Sequence, residues 1–557
     1  MALLAAAWGA SLSLAGGVLR RRALGSSGAM GVYAAGVALC LACAGLGTAL
    51  LQSDFSLRYV ASLTAANLPD LYKLSAFWAG PSGSLLLWTT VLALVSSAAL
   101  AMNRRRHRDL MPWVAFALSA LLLFFIAALA FGSNPFERLP FPPSEGRGLE
   151  AQLQNAAMAL HPPLLILGYA ASAVPFAFAI AGLVERRFDD AWLAVVLRWS
   201  AFAWSALTGG VTFGMFWAYR EIAWGGYWSG DAMEIVSALP WLTGALLVLA
   251  KLSRSPIAAR RAPIVALAAF TFTLAVAGTF VARSGIVPSA HAFVFSAAGP
   301  WFGALVGGVL VVTAALAYRA RAAFRDVPVE LAPTVEAGLS RVGRLVIFSG
   351  FAIFAVGLMG SAFGKEYAAS LGDGESFRAK DAFGREWTFT SQGMSRYQRD
   401  NRAVMSVALL PSLAGRRLPF IKPEQRQFFD SEAKDLGEPV PKASVQSLLS
   451  QDIFVILTDT RLEKANLKIR FHPLISLLWV GGALMTLGGL LAFVADPRVP
   501  EASVEPAADV DARRLDEAAE LAISRWRAPA MTCPSCGPRA EPDAAFCSNC
   551  GLPLSEA

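Results

Sequence analysis

The chain has 557 residues, of which 55% are hydrophobic and only 16% are charged, with a formal net charge of +8 and a mean hydropathy of +0.51. This composition excludes an ordinary soluble protein and indicates a polytopic membrane protein in contact with lipid. The positive charge comes largely from arginines in loops between apolar segments, so nucleic-acid binding is not expected.

Eleven apolar stretches are long enough to cross a bilayer as helices. They lie at about residues 2–19, 31–51, 83–102, 111–131, 163–184, 193–217, 235–250, 263–281, 301–318, 342–360 and 474–494. The first lacks a basic region before its apolar core, so we expect a retained helix rather than a signal peptide. The predicted fold class is therefore an all-α polytopic membrane protein with about 11 transmembrane helices.

Arginine and lysine concentrate in alternate loops, at residues 20–22, 104–108, 186–187, 251–261 and 319–344. Short basic loops favour the cytoplasmic side of the membrane. We therefore predict that the N-terminus lies outside and that the tail from Ala495 lies in the cytoplasm. The opposite loops, at residues 52–82, 132–161, 219–234 and 282–299, then share the outer face.

One outer loop, within residues 219–235, combines aromatic rings, paired glycines and two carboxylates in a mixture that lipid-buried helices normally exclude. These residues are Trp224, Gly225, Gly226, Tyr227, Trp228, Asp231 and Glu234. Flat rings on a bend that glycine permits predict a platform for a large planar ligand. Asp231 and Glu234 lie three residues apart at the start of the next span, so helix capping explains them as well as ligand contact does.

Two of the four histidines, His161 and His291, are predicted to lie at the outer ends of spans, within reach of this loop. Two neutral imidazoles on opposite faces of a macrocycle suit the iron of heme b. Taken alone, His161 is also a common polar residue at a helix start before proline. Arg283 either pairs with a heme propionate or marks the membrane interface. The joint placement of these residues predicts the heme site.

Blocks at residues 54–60, 74–88, 134–136, 161–165, 217–221, 224–242 and 278–293 together resemble, in order, the CcmF-type cytochrome c heme lyases of bacterial cytochrome c maturation. The resemblance covers roughly residues 54–493 with a gap. It implies that His161 and His291 flank an externally exposed heme on the Trp-rich loop. It also implies a bacterial inner-membrane location, a heme-delivering chaperone and thiol-reducing assembly subunits as partners.

The chain departs from the family pattern in three places. Its loop lacks one indole, a proline and an asparagine, and no counterpart is visible for extra spans between about residues 318 and 342. Leu249 and Phe348 stand where the family has two intramembrane histidines for a second heme. Removal of one whole site would cause such a paired loss, since a lone histidine in hydrocarbon is an unpaired polar group. The chain resembles a shortened relative.

Residues 361–472 are the one long polar segment between spans and are predicted to form a small β-rich extracytoplasmic domain. Strand-like runs occur at residues 386–390, 404–410 and 452–457. His472 follows them on the outer side, where an interfacial histidine is favoured over a third ligand. The last transmembrane helix is predicted at residues 473–494, after a heme-handling core at residues 1–360.

Residues 495–530 are predicted to be a cytoplasmic linker and helix, followed by a zinc ribbon at residues 531–557. Cys533, Cys536, Cys547 and Cys550 form two Cys-x-x-Cys knuckles. Four thiolates in two turns predict tetrahedral zinc coordination in a segment too short for its own core. A redox role is the lesser alternative, because the predicted compartment is reducing. We expect a structural or protein-docking role.

These features predict cytochrome c biogenesis, in which a heme lyase component binds heme at the outer face and presents it to the Cys-x-x-Cys-His motif of apocytochrome c. The protein would position and protect the heme. Two alternatives remain open: a heme exporter or carrier without bond formation, and a scaffold of the assembly complex that has lost heme.

Overall fold

Apolar runs form the long helices of the computed structural model, which describes residues 1–220, 226–253, 261–287, 289, 293, 296–324, 338–399, 401–429, 438–461, 463–495, 531–539, 546, 549–553 and 555–556. The helices are α1 (Ala2–Val18), α2 (Arg22–Leu51), α3 (Arg58–Leu63), α4 (Asp70–Ala79), α5 (Pro81–Asn103), α6 (Met111–Ala127), α7 (His161–Glu185), α8 (Asp190–Arg220), α9 (Ala232–Ser253), α10 (Arg261–Ser284), α11 (Gly299–Arg319), α12 (Gly338–Ser361) and α13 (Ser476–Val494).

Every predicted span coincides with one of these helices, and the chain is a multi-pass membrane protein. Ten described helices are long and apolar enough to cross a membrane, whereas α1 is a shorter apolar helix of 17 residues. The two short helices α3 and α4 are not predicted from the sequence, because they lie in a mixed polar segment between spans.

The second helix begins at Arg22, nine residues before the predicted span. Its first turns carry Gly25 and Gly28, which lower the local hydropathy but pack tightly against α6 and α1, respectively. A Cβ atom on Gly28 would lie 2.2 Å from the Ser13 hydroxyl oxygen, and one on Gly25 would touch Pro112 at 3.1 Å. Small residues let membrane helices approach closely. Packing therefore stabilises the helix over residues that lie before the span predicted from hydropathy.

The polar segment after α12 forms strands, as predicted. They are β1 (Lys365–Leu371), β2 (Ser376–Lys380), β3 (Glu386–Arg399), β4 (Arg402–Leu413), β5 (Arg416–Arg417), β6 (Glu424–Phe428), β7 (Val440–Lys442), β8 (Ser444–Ser447), β9 (Gln451–Arg461) and β10 (Lys464–Pro473). One antiparallel sheet has the order β1-β10-β9-β8 and the other the order β2-β3-β4-β6-β7, with β5 beside β4. Trp387, Phe389 and Phe471 are fully buried in their shared core.

The chain divides into two compact units, Met1–Pro497 and Arg498–Ala557. The described part of the second unit contains three short strands, β11 (Met531–Cys533), β12 (Gly537–Arg539) and β13 (Ser555–Glu556), in the order β12-β11-β13. Of the predicted linker and helix at residues 495–530, only Ala495 is among the described residues.

A buried polar cluster connects the β-rich region to the helices. Asp452 on β9 accepts hydrogen bonds from the Tyr219 hydroxyl at 3.2 Å and from the Ser476 hydroxyl at 3.4 Å. His472 on β10 lies opposite Asp452 in the strand register, and its ring meets the Tyr219 ring edge-on at 5.5 Å. Burial, assisted by the charge of Arg470 and opposed by that of Glu366, lowers the pKa of His472 to about 4.

The depressed pKa of His472 predicts acid sensitivity at this junction. The neutral imidazole is favoured in the folded state, so its contribution is complete above pH 6.5 and declines as the pH falls from 6.5 towards about 4. We expect roughly 3 kcal/mol of unfolding free energy to be lost over this window. Denaturant unfolding of the wild type and His472→Phe at several pH values tests this, and an equal slope in both proteins would contradict it.

Candidate functional site

A cavity of about 550 Å³ lies where the ends of α5, α7, α8, α9 and α10 meet. Its volume falls in the range of small-molecule and cofactor sites. The cavity brings together five predicted site residues that are far apart in the sequence: His161, Tyr227, Trp228, Glu234 and Arg283. The spans therefore carry the predicted ligand, platform and cationic residues to one end of the helical bundle.

His161 is the first residue of α7 and packs against α8. Its Nδ1 lies 2.8 Å from the carbonyl oxygen of Gly210, and its ring stacks on that of Trp217 with centroids 6.1 Å apart. Because a carbonyl oxygen only accepts, Nδ1 carries the proton and Nε2 is the basic nitrogen. A histidine whose second nitrogen donates to a backbone carbonyl is the usual arrangement of a metal ligand.

The Trp-rich loop leads into the cavity through Tyr227 and Trp228. The Tyr227 hydroxyl lies 2.9 Å from the Ser361 hydroxyl at the end of α12, and the Trp228 side chain is 39% exposed. Gly226 belongs to the same described turn, whereas the predicted platform residues Trp224 and Gly225 lie outside the described residues.

The two carboxylates of this loop organise the start of α9. Asp231 Oδ1 accepts hydrogen bonds from the Met233 amide at 2.7 Å and from the Ser289 hydroxyl at 2.8 Å. Glu234 Oε2 accepts hydrogen bonds from the amides of Ser229 and Gly230, both at 2.9 Å. These contacts support the capping interpretation for both residues. Glu234 also lines the cavity, whereas Asp231 is not among its lining residues.

Arg283 is buried in the cavity wall, with only 3% of its surface exposed. Its guanidinium donates to the Pro81 carbonyl at 2.6 Å and to the Ser84 hydroxyl at 2.8 Å, and lies 5.1 Å from the Phe293 ring. This burial favours a role in the cavity over a role at the membrane interface. Among the described residues, no carboxylate pairs with Arg283, so an anionic group in the cavity would supply the missing counter-charge.

Sequence reasoning missed several aromatic residues of the cavity wall: Trp78, Trp88, Tyr169 and Trp217. Trp78 donates from its indole nitrogen to the Met158 carbonyl at 2.9 Å, and Trp88 contacts Tyr169 with ring centroids 5.9 Å apart. Trp78, Trp88 and Trp217 lie in blocks 74–88 and 217–221, near the ends of spans, whereas Tyr169 lies inside α7 and outside every block. Isolated tryptophans there are usually interfacial anchors, which hides a shared role.

Tyr59 was also missed, because one tyrosine in a short loop helix carries no signal. Its hydroxyl donates towards the carbonyls of Ala76 and Phe77, at 3.1 and 2.9 Å, and accepts from the Gly80 amide at 3.1 Å. Burial raises the pKa of Tyr59, so the phenol stays protonated as a donor. This bond network fixes the corner between α4 and α5, where Gly80 lines the cavity.

His291, the second predicted ligand, lies outside the described residues. Leu249 is half-buried on α9, and Phe348 is 43% exposed on α12. The nearby core between α8, α9 and α12 is apolar and aromatic, with Trp204 stacked on Trp241 and on Phe351 at 6.1 and 5.7 Å.

In the second unit, the thiols of Cys533, Cys536 and Cys550 lie within 4.8 Å of one another, and the Sγ atoms of Cys533 and Cys550 are 3.4 Å apart. Thiolates on one tetrahedral zinc ion are separated by about 3.8 Å, given a Zn–S bond of about 2.3 Å. Three of the four predicted ligands are thus gathered in a metal-binding arrangement, and Cys547 lies outside the described residues.

Residues 78–287, which carry most of the cavity wall, match the family of cytochrome C assembly proteins. The chain is 38% identical over 299 residues to the cytochrome c-type biogenesis protein CycK of Rhizobium meliloti, covering 54% of this chain and 44% of the relative. It is 37% identical over 279 residues to the cytochrome c-type biogenesis protein CcmF of Escherichia coli, covering 49% and 43%. The chain spans about half the length of the curated relatives it matches.

The fold extends beyond this region of sequence identity. A solved structure described as the cytochrome c heme lyase CcmF superposes with a TM-score of 0.69 and covers 88% of this chain and 96% of its own, at 21% identity. At that identity the likeness concerns the fold alone. Residues 78–287 thus match the cytochrome C assembly protein family, and most of the chain shares the fold of the solved CcmF structure.

Proposed function

We propose that the protein binds heme b in the cavity and presents it for covalent attachment to the Cys-x-x-Cys-His motif of apocytochrome c. The observation that carries the proposal is His161, held by the Gly210 carbonyl in the tautomer suited to iron, on a cavity walled by aromatic rings. Heme would supply two vinyl groups, and each cysteine thiol would add its sulfur and hydrogen across one vinyl double bond.

The residues present fit such a ligand. His161 would bind the iron through Nε2, while the tryptophans of the wall would cover the ring and exclude water. Arg283, buried without a carboxylate partner among the described residues, would hold a propionate. The chain would therefore bind, orient and shield the heme, and leave the bond formation to the heme and the thiols.

His291 is proposed as the second axial ligand. Two residues that flank it in the sequence support this assignment: Ser289 bonds to Asp231 at the foot of the Trp-rich loop, and Phe293 lines the cavity. These two contacts are the support for the assignment.

The proposal includes the cellular setting. We propose a bacterial inner-membrane location with the cavity on the outer face, as the basic loops favour. Apocytochrome c, a heme-delivering chaperone and thiol-reducing assembly subunits are the proposed partners. The names of the relatives, which describe cytochrome c-type biogenesis proteins, support this setting.

A heme exporter or carrier without bond formation is the second candidate, favoured by the departures of the Trp-rich loop from the family pattern and by Leu249 and Phe348 at the positions of the family's two intramembrane histidines. Co-expression of an apocytochrome c with and without the protein separates the two functions. We expect covalent heme on the denatured cytochrome only when the protein is present and His161 is intact. Heme bound to the protein without any covalent product would support the carrier function. A purified protein without Soret absorption would instead support a scaffold of the assembly complex that binds no heme.

Gly214 tests the geometry of the proposed ligand. A Cβ atom there would lie 2.5 Å from Cε1 and 2.7 Å from Nδ1 of His161, so Gly214→Ala must displace the imidazole from Gly210. Overpacking of this kind costs about 1–3 kcal/mol, which predicts a loss of heme affinity of roughly 5- to 150-fold by titration. Gly45→Ala, at a helical glycine with nothing within 4 Å, is the control and should bind heme normally. Equal affinity in both variants would contradict the assignment.

We further propose that Cys533, Cys536, Cys547 and Cys550 bind one zinc ion, which folds the C-terminal unit for a structural or protein-docking role. Metal analysis of the purified protein should give about one zinc per chain, and Cys536→Ser should remove most of it. Cys40→Ser, which changes an exposed thiol on α2, is the matched control. Unchanged zinc content in Cys536→Ser would refute the site.

A further inference from the structure

The strand β3 is much longer than the strand beside it. Register pairs with β2 run only from Glu386 to Thr390, and the turn before β2 extends the cover to Ser391, whose amide donates to the Glu375 carbonyl at 2.9 Å. Beyond the bulge at Ser391 and Met394, no described strand pairs with the side of β3 that faces away from β4. Residues Met394–Arg399 therefore form an open sheet edge.

The open edge is accessible and extended. Every residue from Met394 to Arg399 is exposed, while their partners on β4, from Arg402 to Val407, are buried or half-buried. In an antiparallel ladder, alternate residues direct both their N–H and C=O groups away from the paired strand. An edge of this length presents unpaired backbone groups that can accept one further strand.

The edge adjoins the cavity. The turn that joins β3 to β4 contains Asn401, which is buried and donates to the side-chain oxygen of Gln154 at 3.2 Å. Gln154 in turn donates to the Leu149 carbonyl at 2.8 Å, in the segment whose neighbours Glu150 and Leu153 line the cavity. A strand bound along β3, about 20 Å in length, would thus end beside the cavity wall.

The charge of the edge is basic. The open strand carries two arginines, Arg396 and Arg399, and residues 394–399 contain no carboxylate. Such an edge favours a partner strand with acidic side chains. Pairing through main-chain hydrogen bonds depends little on side chains, so one edge can bind partner segments of different sequence.

We propose that Met394–Arg399 is the docking edge for the extended apocytochrome segment next to the Cys-x-x-Cys-His motif, which pairs as an additional strand and so brings the motif to the cavity. This inference rests on the proposed function for the identity of the occupant. An unfolded apocytochrome segment has the extended, unpaired backbone that strand addition at this edge requires.

The test uses the full-length protein in detergent and a fluorescent apocytochrome peptide whose two cysteines are replaced by serine, so that no bond forms. Two further peptides carry N-methyl groups on alternate residues, one set on each edge of the extended peptide. Pairing with β3 uses only one edge. We expect one methylated peptide to bind at least about tenfold more weakly and the other to bind normally. Equal affinities of the two methylated peptides, or no saturable binding, would overturn the proposal.

Charge reversal locates the site on the protein. Arg396→Glu should weaken the binding of a peptide with acidic flanks roughly tenfold. Arg416→Glu, an exposed arginine on β5 at the opposite end of β4, should leave the affinity unchanged. If instead Arg396→Glu separates a dimer into monomers in size-exclusion chromatography with light scattering, the edge joins two copies of this chain and the proposal is wrong.

The same titration on His161→Ala separates this inference from the proposed function. Edge-selective peptide binding by a protein without heme supports the docking edge even if heme binding fails elsewhere. If the protein binds heme but binds the two methylated peptides equally, the docking edge is wrong and the proposed heme function stands.

Discussion

Replacing His161 with glycine is expected to remove at least about nine-tenths of the bound heme, because the change takes away the imidazole that the structure orients into the cavity. The Gly210 carbonyl and the Trp217 ring would remain in place and keep a space of imidazole size. Heme per protein is measured by Soret absorption and by pyridine hemochrome. Added imidazole should restore much of the signal, which a merely misfolded protein would not show.

The matched control is His107→Gly. This histidine lies beyond the far end of α5, a helix of 23 residues that starts at the cavity and is about 34 Å long. It is buried, with its ring 5.8 Å from that of Phe178, whereas His161 is half-buried, so the control removes at least as much packing as the test variant. Heme loss in both variants to the same degree, or retention in both, would contradict the role of His161.

Replacing Asp381 with alanine is expected to destabilise the β-rich region by about 3–5 kcal/mol. This fully buried carboxylate accepts hydrogen bonds from Arg385 Nε at 2.7 Å, Trp387 Nε1 at 3.0 Å and Gln451 Nε2 at 2.9 Å, and from the amides of Phe383 and Arg385. Without it, several buried donors lose their acceptor. Hydrogen exchange of β3 and β9 should then become about a hundredfold faster or more.

The pH dependence of this effect has a definite sign. Burial by itself would raise the pKa of Asp381, but the bonds from Trp387 and Arg385 and the charge of Arg385 hold it below its ordinary value. The stabilisation is therefore present above pH 4 and declines as the pH falls through the depressed pKa. Asp459→Ala, at a partly exposed carboxylate paired with Arg461, is the control and should change the stability by less than about 1 kcal/mol. Similar exchange rates in both variants would refute the role of Asp381.

The sequence predicts the parts of this molecule that depend on local composition. Apolar runs of bilayer length become helices, and the alternating run at residues 386–390 becomes part of β3. The convergence of His161 and the Trp-rich loop is predictable because basic loops assign both to one face. The ordered blocks at residues 54–293 anticipate the match of residues 78–287 to the cytochrome C assembly proteins.

What escapes prediction depends on contacts between distant residues. Nothing in the sequence indicates that His161 bonds to Gly210, 49 positions away, or that Arg283 donates to the carbonyl of Pro81. The early start of α2 is set by small residues that pack on α1. Hydropathy scales rate these small residues as weakly apolar, so the predicted span begins later than the helix. The open edge of β3 exists because β2 is short, and strand pairing is a property of two segments together.

The bond between the hydroxyls of Tyr227 and Ser361 ties the floor of the aromatic loop to the last residue of α12, four positions before β1 begins. A displacement of β1 would therefore be transmitted to the ring of Tyr227, which lines the cavity. The β-rich region is thus tied to the cavity wall by this bond as well as by the Asp452 cluster, and Tyr227→Phe would remove the first of these two ties.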